Sequence, residues 1–69
     1  MDDIMFLCVE DVVYLDSVSA RTAVTKLGKV RKSNGWDARE KVSVWAYCTR
    51  FALNYDHVQK KLKERYSRH

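Results

Sequence analysis

Apolar residues recur along this chain at three- and four-residue steps, the period of an amphipathic helix, in four separate stretches. The first holds Val9, Val12 and Val13 and runs to about Leu15, with Glu10 and Asp11 in the first turn, where the positive end of a helix favours acids. A polar break follows at Asp16-Ser17. Ser19 then offers a hydroxyl that can accept a bond from a first-turn amide, and Ala20, Ala23, Leu27 and Val30 repeat behind it, with Val24 widening the stripe. Asn34-Gly35 predicts the left-handed stop of this second helix, whose last turn places Lys29, Arg31 and Lys32 at the negative end. Gly28, inside it, costs about 1 kcal/mol relative to Ala, which points to close approach of a neighbouring helix in preference to a phosphate.

The second half repeats this plan. Ser43 caps a third helix with Val44, Tyr47, Cys48 and Phe51 inward, and Asn54 caps a fourth with Tyr55, Val58, Leu62 and Tyr66 on its inner side. Trp36 to Lys41 reads as a polar connection, with Trp36 folded back onto the core. Ile4-Met5-Phe6-Leu7 fits either an extended lead-in or a buried first turn, of which the extended form is favoured, and Lys41-Val42-Ser43-Val44 is a second lead-in. Laying residues 8–27 on 43–62, an offset of 35, puts Val9 on Val44, Val12 on Tyr47, Ser19 on Asn54, Ala23 on Val58 and Leu27 on Leu62. Duplication fits this echo, and so does the pattern that any two helical hairpins share. The expected fold is all-α: four short helices forming two packed helix-turn-helix-like units, with a minor two-stranded pairing of residues near 5–8 and 41–44.

Composition narrows the class. A chain of 69 residues is one domain over 1–69 and buries only about 60% of its unfolded surface, too little for a sizeable substrate cavity. With no Pro and two Gly, helices joined by short connections are favoured over a turn-rich β fold. Cys8 and Cys48 form no Cys-x-x-Cys pair and suit a reduced protein; a bridge between them would need a Cα separation below about 7 Å. His57 and His69 lack metal-ligand spacing, and there is no cofactor motif. An acidic start and a short apolar run predict neither secretion nor a membrane span, hence a cytoplasmic protein.

Charge is sorted along the chain. Residues 1–20 hold five acids (Asp2, Asp3, Glu10, Asp11, Asp16) and no Lys or Arg, whereas all 13 basic residues lie from Arg21 onward with four acids. The excess begins where the second helix begins, which suits a polyanionic partner as well as a merely solvated face. A helix set at an angle on another can enter the DNA major groove.

Val9-Glu10-Asp11-Val12, Leu15 and Val18-Ser19-Ala20-Arg21-Thr22-Ala23 resemble the helix-turn-helix of small excisionase-like and MerR-like proteins from bacterial mobile elements. The resemblance covers residues 8–32, and more loosely 42–62. It implies a DNA-binding accessory or regulatory protein whose helix 20–33 lies in the major groove, with Arg21, Thr22, Thr25 and Lys26 as contact residues. In excisionases the role is architectural, bending DNA beside a recombinase without catalysis. The chain departs from that pattern at Ser17, where the turn usually has Gly, at Val13, where a small Ala is common, and in lacking the basic-Pro wing. A non-Gly residue at the turn must either avoid the left-handed region or tolerate strain.

The residues themselves extend the candidate site. Arg21 suits guanine readout or plain surface charge, and Thr22 and Thr25 suit a thymine methyl or a phosphate. Lys26, Lys29, Arg31 and Lys32 can neutralise phosphates, as can Lys60 and Lys61 on a fourth helix whose outer surface is made strongly basic by Lys63, Arg65 and Arg68 as well. Tyr47, Phe51 and Tyr55 at four-residue steps read as a core stripe in preference to a base-stacking platform, and Trp45, off that stripe, as an exposed protein contact. No nucleophile with its base and no phosphate-cradling loop supports an enzyme. The expected partners are double-stranded DNA and a recombinase or other protein, with a homodimer able to read two half-sites and no membrane. The alternative is a non-catalytic protein-protein interaction module on the same scaffold. Trp36, Trp45 and Phe6 gathered in one patch would favour that alternative; a continuous basic face from Arg21 to Lys32 joined to Lys60 and Lys61 would favour DNA. Solvent-facing aromatics would favour RNA.

Overall fold

The computed structural model describes residues 2–67, in the order β1 (Phe6–Leu7), α1 (Val9–Asp16), α2 (Ala20–Ser33), β2 (Val42–Ser43), α3 (Val44–Phe51) and α4 (Tyr55–Ser67). The helices begin where the caps predict. Ser19 Oγ accepts from the Thr22 amide, Ser43 Oγ from Ala46 and Asn54 Oδ1 from His57. At the far end of α2 Gly35 takes φ 68°. Its amide donates to the Lys32 carbonyl and that of Trp36 to the Arg31 carbonyl, the paired bonds of a Schellman stop.

The two lead-ins pair antiparallel, Phe6 with Ser43 and Leu7 with Val42, and the Val44 amide donates to the Met5 carbonyl at 2.9 Å. Leu7 and Val42 are equivalent under the 35-residue offset and face each other, as residues across a twofold axis do. The same offset carries α1 onto α3 and the first residue of α2 onto that of α4. Each short helix packs on its own following helix and on the long helix of the other unit, α1 on α4 and α3 on α2. Leu7, Val12, Leu15, Ala23, Leu27, Val30, Val42, Val44, Tyr47, Cys48, Val58 and Leu62 form the shared core. Full burial of one Leu or Val contributes about 1.5–3 kcal/mol, so these two half-units hold each other by the seam between them.

Three expectations are corrected. Trp36 does not fold onto the core; it remains 37% exposed, because the Schellman stop directs the chain outward before β2. Val24 is 53% exposed and does not widen the buried stripe of α2, whose inward residues are Ala23, Leu27 and Val30. Gly28 admits no neighbouring helix: a Cβ built there meets nothing within 4 Å.

Both tight turns tolerate strain. Ser17 and Ala52, one offset apart, sit in the left-handed region at φ 53° and 55°. An L-residue pays about 1–2 kcal/mol there, which Gly avoids at the expense of greater freedom in the unfolded chain. Ala52→Gly is accordingly expected to stabilise the fold by about 0.5–1 kcal/mol, seen as a rise of a few degrees in the unfolding midpoint. An unchanged or lowered midpoint in a calorimetric scan would contradict the strained turn.

Candidate nucleic-acid interface

The site is decided by which cations the fold leaves free. Asp11, at the third position of α1, is 1% exposed. Its Oδ2 accepts from the Cys8 amide at 2.9 Å and the Cys8 thiol at 3.3 Å, satisfying an otherwise orphan donor at the helix start. Its Oδ1 accepts from Arg65 Nη1 at 3.1 Å and from the Tyr66 hydroxyl at 2.7 Å. A carboxylate this buried needs such partners, since an unpaired one would be far costlier to desolvate.

Asp16 does the same at the other end of α1. Its Oδ2 receives Lys26 Nζ at 2.6 Å and the hydroxyl of the buried Tyr47. The Lys26 ammonium also lies 4.9 Å from the Phe51 ring centroid and 5.8 Å from that of Tyr47, held between α1 and α3. Lys61 donates to the Leu15 carbonyl at 3.1 Å, and Lys63 pairs with Asp3 at 2.8 Å. This bond from Lys63 holds the Asp3 carboxyl below its usual range.

The outer surface of α4 is therefore not the free basic face expected from sequence. Lys61, Lys63 and Arg65 are all engaged by the first sixteen residues, Lys60 stays exposed, and Arg68 lies outside the described residues. On α2 the outcome differs residue by residue. Arg21, Thr22, Thr25, Lys29 and Lys32 are exposed, whereas Lys26 is half-buried in its ion pair. Thr22 Oγ1 accepts from the Ser19 hydroxyl at 3.1 Å, and the Thr25 hydroxyl donates to the Arg21 carbonyl at 3.2 Å. Arg31 is half-buried and donates to the Glu40 carbonyl at 2.7 Å.

Positions 21, 25, 29 and 32 lie on one side of a helix, so Arg21, Thr25, Lys29 and Lys32 form a single exposed stripe. Gly28 lies within it, where the open space above its Cα leaves backbone accessible. Helix α2 carries no acidic residue. Under the 35-residue offset the matching stripe on α4 is Asp56, Lys60, Glu64 and Ser67, of mixed sign. Two equivalent helices thus present different electrostatic characters, cationic on α2 and mixed on α4.

Sequence reasoning missed Gln59, and of the patch it raised as an alternative, Trp36 and Trp45 come together without Phe6. Gln59 is 3% exposed and its amide bridges both backbone groups of Ile4, at 2.8 and 2.7 Å, continuing the lead-in across α4. Its polar side chain at a core-facing position was the available signal. Trp45 is 68% exposed, as expected, and shares an open groove with Trp36 between the end of α2 and the start of α3. Tyr47 is fully buried against the half-buried Phe51, whereas Tyr55 opens the next helix, half-buried beside Trp45, so the core stripe holds for α3 alone. Both thiols are free, and desolvation pushes Cys8 and Cys48 above the ordinary thiol range, away from the thiolate that nucleophilic chemistry needs. His69 lies outside the described residues.

Comparison with protein-family models, with curated proteins and with solved structures finds no match. What the fold defines is a small all-α domain of two packed helix-turn-helix-like units. No helix among the described residues is long and apolar enough to cross a membrane.

The Asp11 cluster has a signature in alkali. The bond to Asp11, with desolvation, raises the Tyr66 hydroxyl from an ordinary 10 to about 12. The native state therefore holds this proton more tightly than the unfolded chain does. Its stabilising contribution is complete below pH 10 and is lost as pH climbs toward 12. Tyr66→Phe should flatten part of the decline in unfolding midpoint over that window; superimposable profiles for the two proteins would refute the coupling.

Proposed function

We propose that this chain is a small, non-catalytic DNA-binding accessory or regulatory protein of the excisionase-like type, which sets α2 in the major groove. The observation that carries this reading is the outward stripe of Arg21, Thr25, Lys29 and Lys32 on a helix without acids, begun by a capped turn. In this reading Arg21, near the helix start, makes a bidentate contact with guanine, and Thr22 beside it meets a thymine methyl. Lys29 and Lys32 serve phosphates and set position rather than sequence. The open backbone at Gly28 lets a phosphate approach the same face.

Lys26 and Lys61 leave the contact set in this reading, because both already serve the fold. Lys60 remains as a peripheral phosphate contact. The molecule measures 33 × 22 × 20 Å, whereas half-sites one turn apart are separated by about 34–36 Å. The two long helices pack within one small body and cannot occupy successive grooves. One chain therefore reads one half-site with α2, and a palindromic target needs a second copy. The exposed tryptophans are the observation that favours a second reading, a protein-protein interaction module, for the opposite end of α2.

The test is duplex binding by fluorescence anisotropy across a salt series. Affinity should fall as salt rises, and Lys29→Ala and Lys32→Ala should each reduce the slope of log K against log salt by about 1. Lys26→Ala should leave the slope in place while lowering the unfolding midpoint. Absence of binding at low salt, or a slope indifferent to Lys29 and Lys32, would reject the reading.

A further inference from the structure

Both tryptophans of the chain line the same groove, of about 500 Å³, and neither is needed to close the core. Trp45 is braced by Tyr55, ring centroids 5.9 Å apart and planes inclined at 61°, so its large exposed surface is held in a fixed attitude. The polar lining consists of Ser33, Ser43, Thr49, Asn34 and Arg50, with no carboxylate. Arg50 packs over Phe51 and spends its Nε on Ser33 Oγ at 3.0 Å. Its two terminal nitrogens make no hydrogen bond to the described residues. Exposed indoles beside hydroxyls and a guanidinium with two uncommitted nitrogens, with no negative charge, suit a ligand that is aromatic and anionic at once.

The groove also lies at the C-terminal end of the helix that carries the cationic stripe. Arg21, Thr25, Lys29 and Lys32 run along α2 toward its C-terminal end, and Ser33, the next residue, is part of the groove wall. We propose that the Trp36–Trp45 groove takes an unpaired base of the bound DNA, stacked on indole with its phosphate at Arg50. The proposal rests on the α2 reading for the duplex that delivers the base, but the groove's affinity for a single strand stands apart from it. Stacking on aromatic side chains tolerates any base, so the groove would recognise strand opening or a single-stranded extension rather than sequence.

Because no tryptophan lies elsewhere, tryptophan emission, excited apart from the four tyrosines, reports on this groove alone. The full chain is titrated with a blunt duplex, with the same duplex carrying a short single-stranded extension, and with an oligothymidylate. The extension should tighten binding about tenfold and quench the emission, and oligothymidylate alone should quench it too. Trp45→Ala, at an exposed position where folding is checked by the unfolding midpoint, should abolish the gain while leaving blunt-duplex affinity unchanged. Trp45→Phe should restore part of it. Equal affinity for blunt and extended duplexes, or a gain that survives Trp45→Ala, would overturn the groove proposal and leave α2 untouched. Failure of the blunt duplex with quenching by oligothymidylate would instead remove the α2 reading and retain the groove. A Glu- and Phe-containing peptide that quenches where oligothymidylate does not would overturn the proposal by assigning the groove to a protein partner.

Discussion

The structure turns on the carboxylates at the two ends of α1. Asp11 ties the start of that helix to the last turns of α4, and Asp16 ties its end to α2 and α3 through Lys26 and Tyr47. A buried ion pair is weak grounds for net stability when compared with well-packed apolar groups of the same size, but losing one partner of such a pair is costly. Its effect here is geometric. Eight residues of α1 are pinned at both ends, which fixes the angle at which α2 leaves the turn and so the direction in which its polar side faces.

The same pairing sets the electrostatics. Asp3, Asp11 and Asp16 each take a cation from a later helix, so three of the five acids in the first twenty residues find their counterions among the later bases. Charge sorting along a sequence is then a poor guide to charge sorting on a surface. With Lys61, Lys63 and Arg65 partly buried against the first sixteen residues, the α2 stripe stands out more clearly. The approximate twofold relation between the units sharpens the point: one backbone plan is used twice, with Arg21, Thr25, Lys29 and Lys32 on one copy and Asp56, Lys60, Glu64 and Ser67 on the other.

Most of the fold was legible in the sequence because it is written in short-range chemistry. Ser19, Ser43 and Asn54 act at three-residue distance, Gly35 at a single residue, and the apolar periods of α2 and α3 within one helix. Even the pairing of Phe6–Leu7 with Val42–Ser43 could be read, since both are brief apolar runs entering equivalent helices. What could not be read was long-range. Asp11 looked like an ordinary first-turn acid, and nothing local says that its second oxygen meets Arg65 and Tyr66, more than fifty residues on. Lys26 and Lys61 looked like Lys29 and Lys60, because periodicity places a lysine on the flank of a helix without saying whether a neighbour offers it a carboxylate or a carbonyl. The outward turn of Trp36 escaped notice for the same reason: a large aromatic after a helix stop suggests burial until the direction of the next strand is known.

The central claim is that internal pairing decides which lysines are available to a polyanion, and residue-resolved lysine acetylation followed by mass spectrometry addresses it directly. In the free protein Lys29, Lys32 and Lys60 should react faster than Lys26 and Lys61, and duplex DNA should protect Lys29 and Lys32 well beyond Lys60. Lys26 reacting as fast as Lys29, or protection spread evenly over α2 and α4, would contradict it.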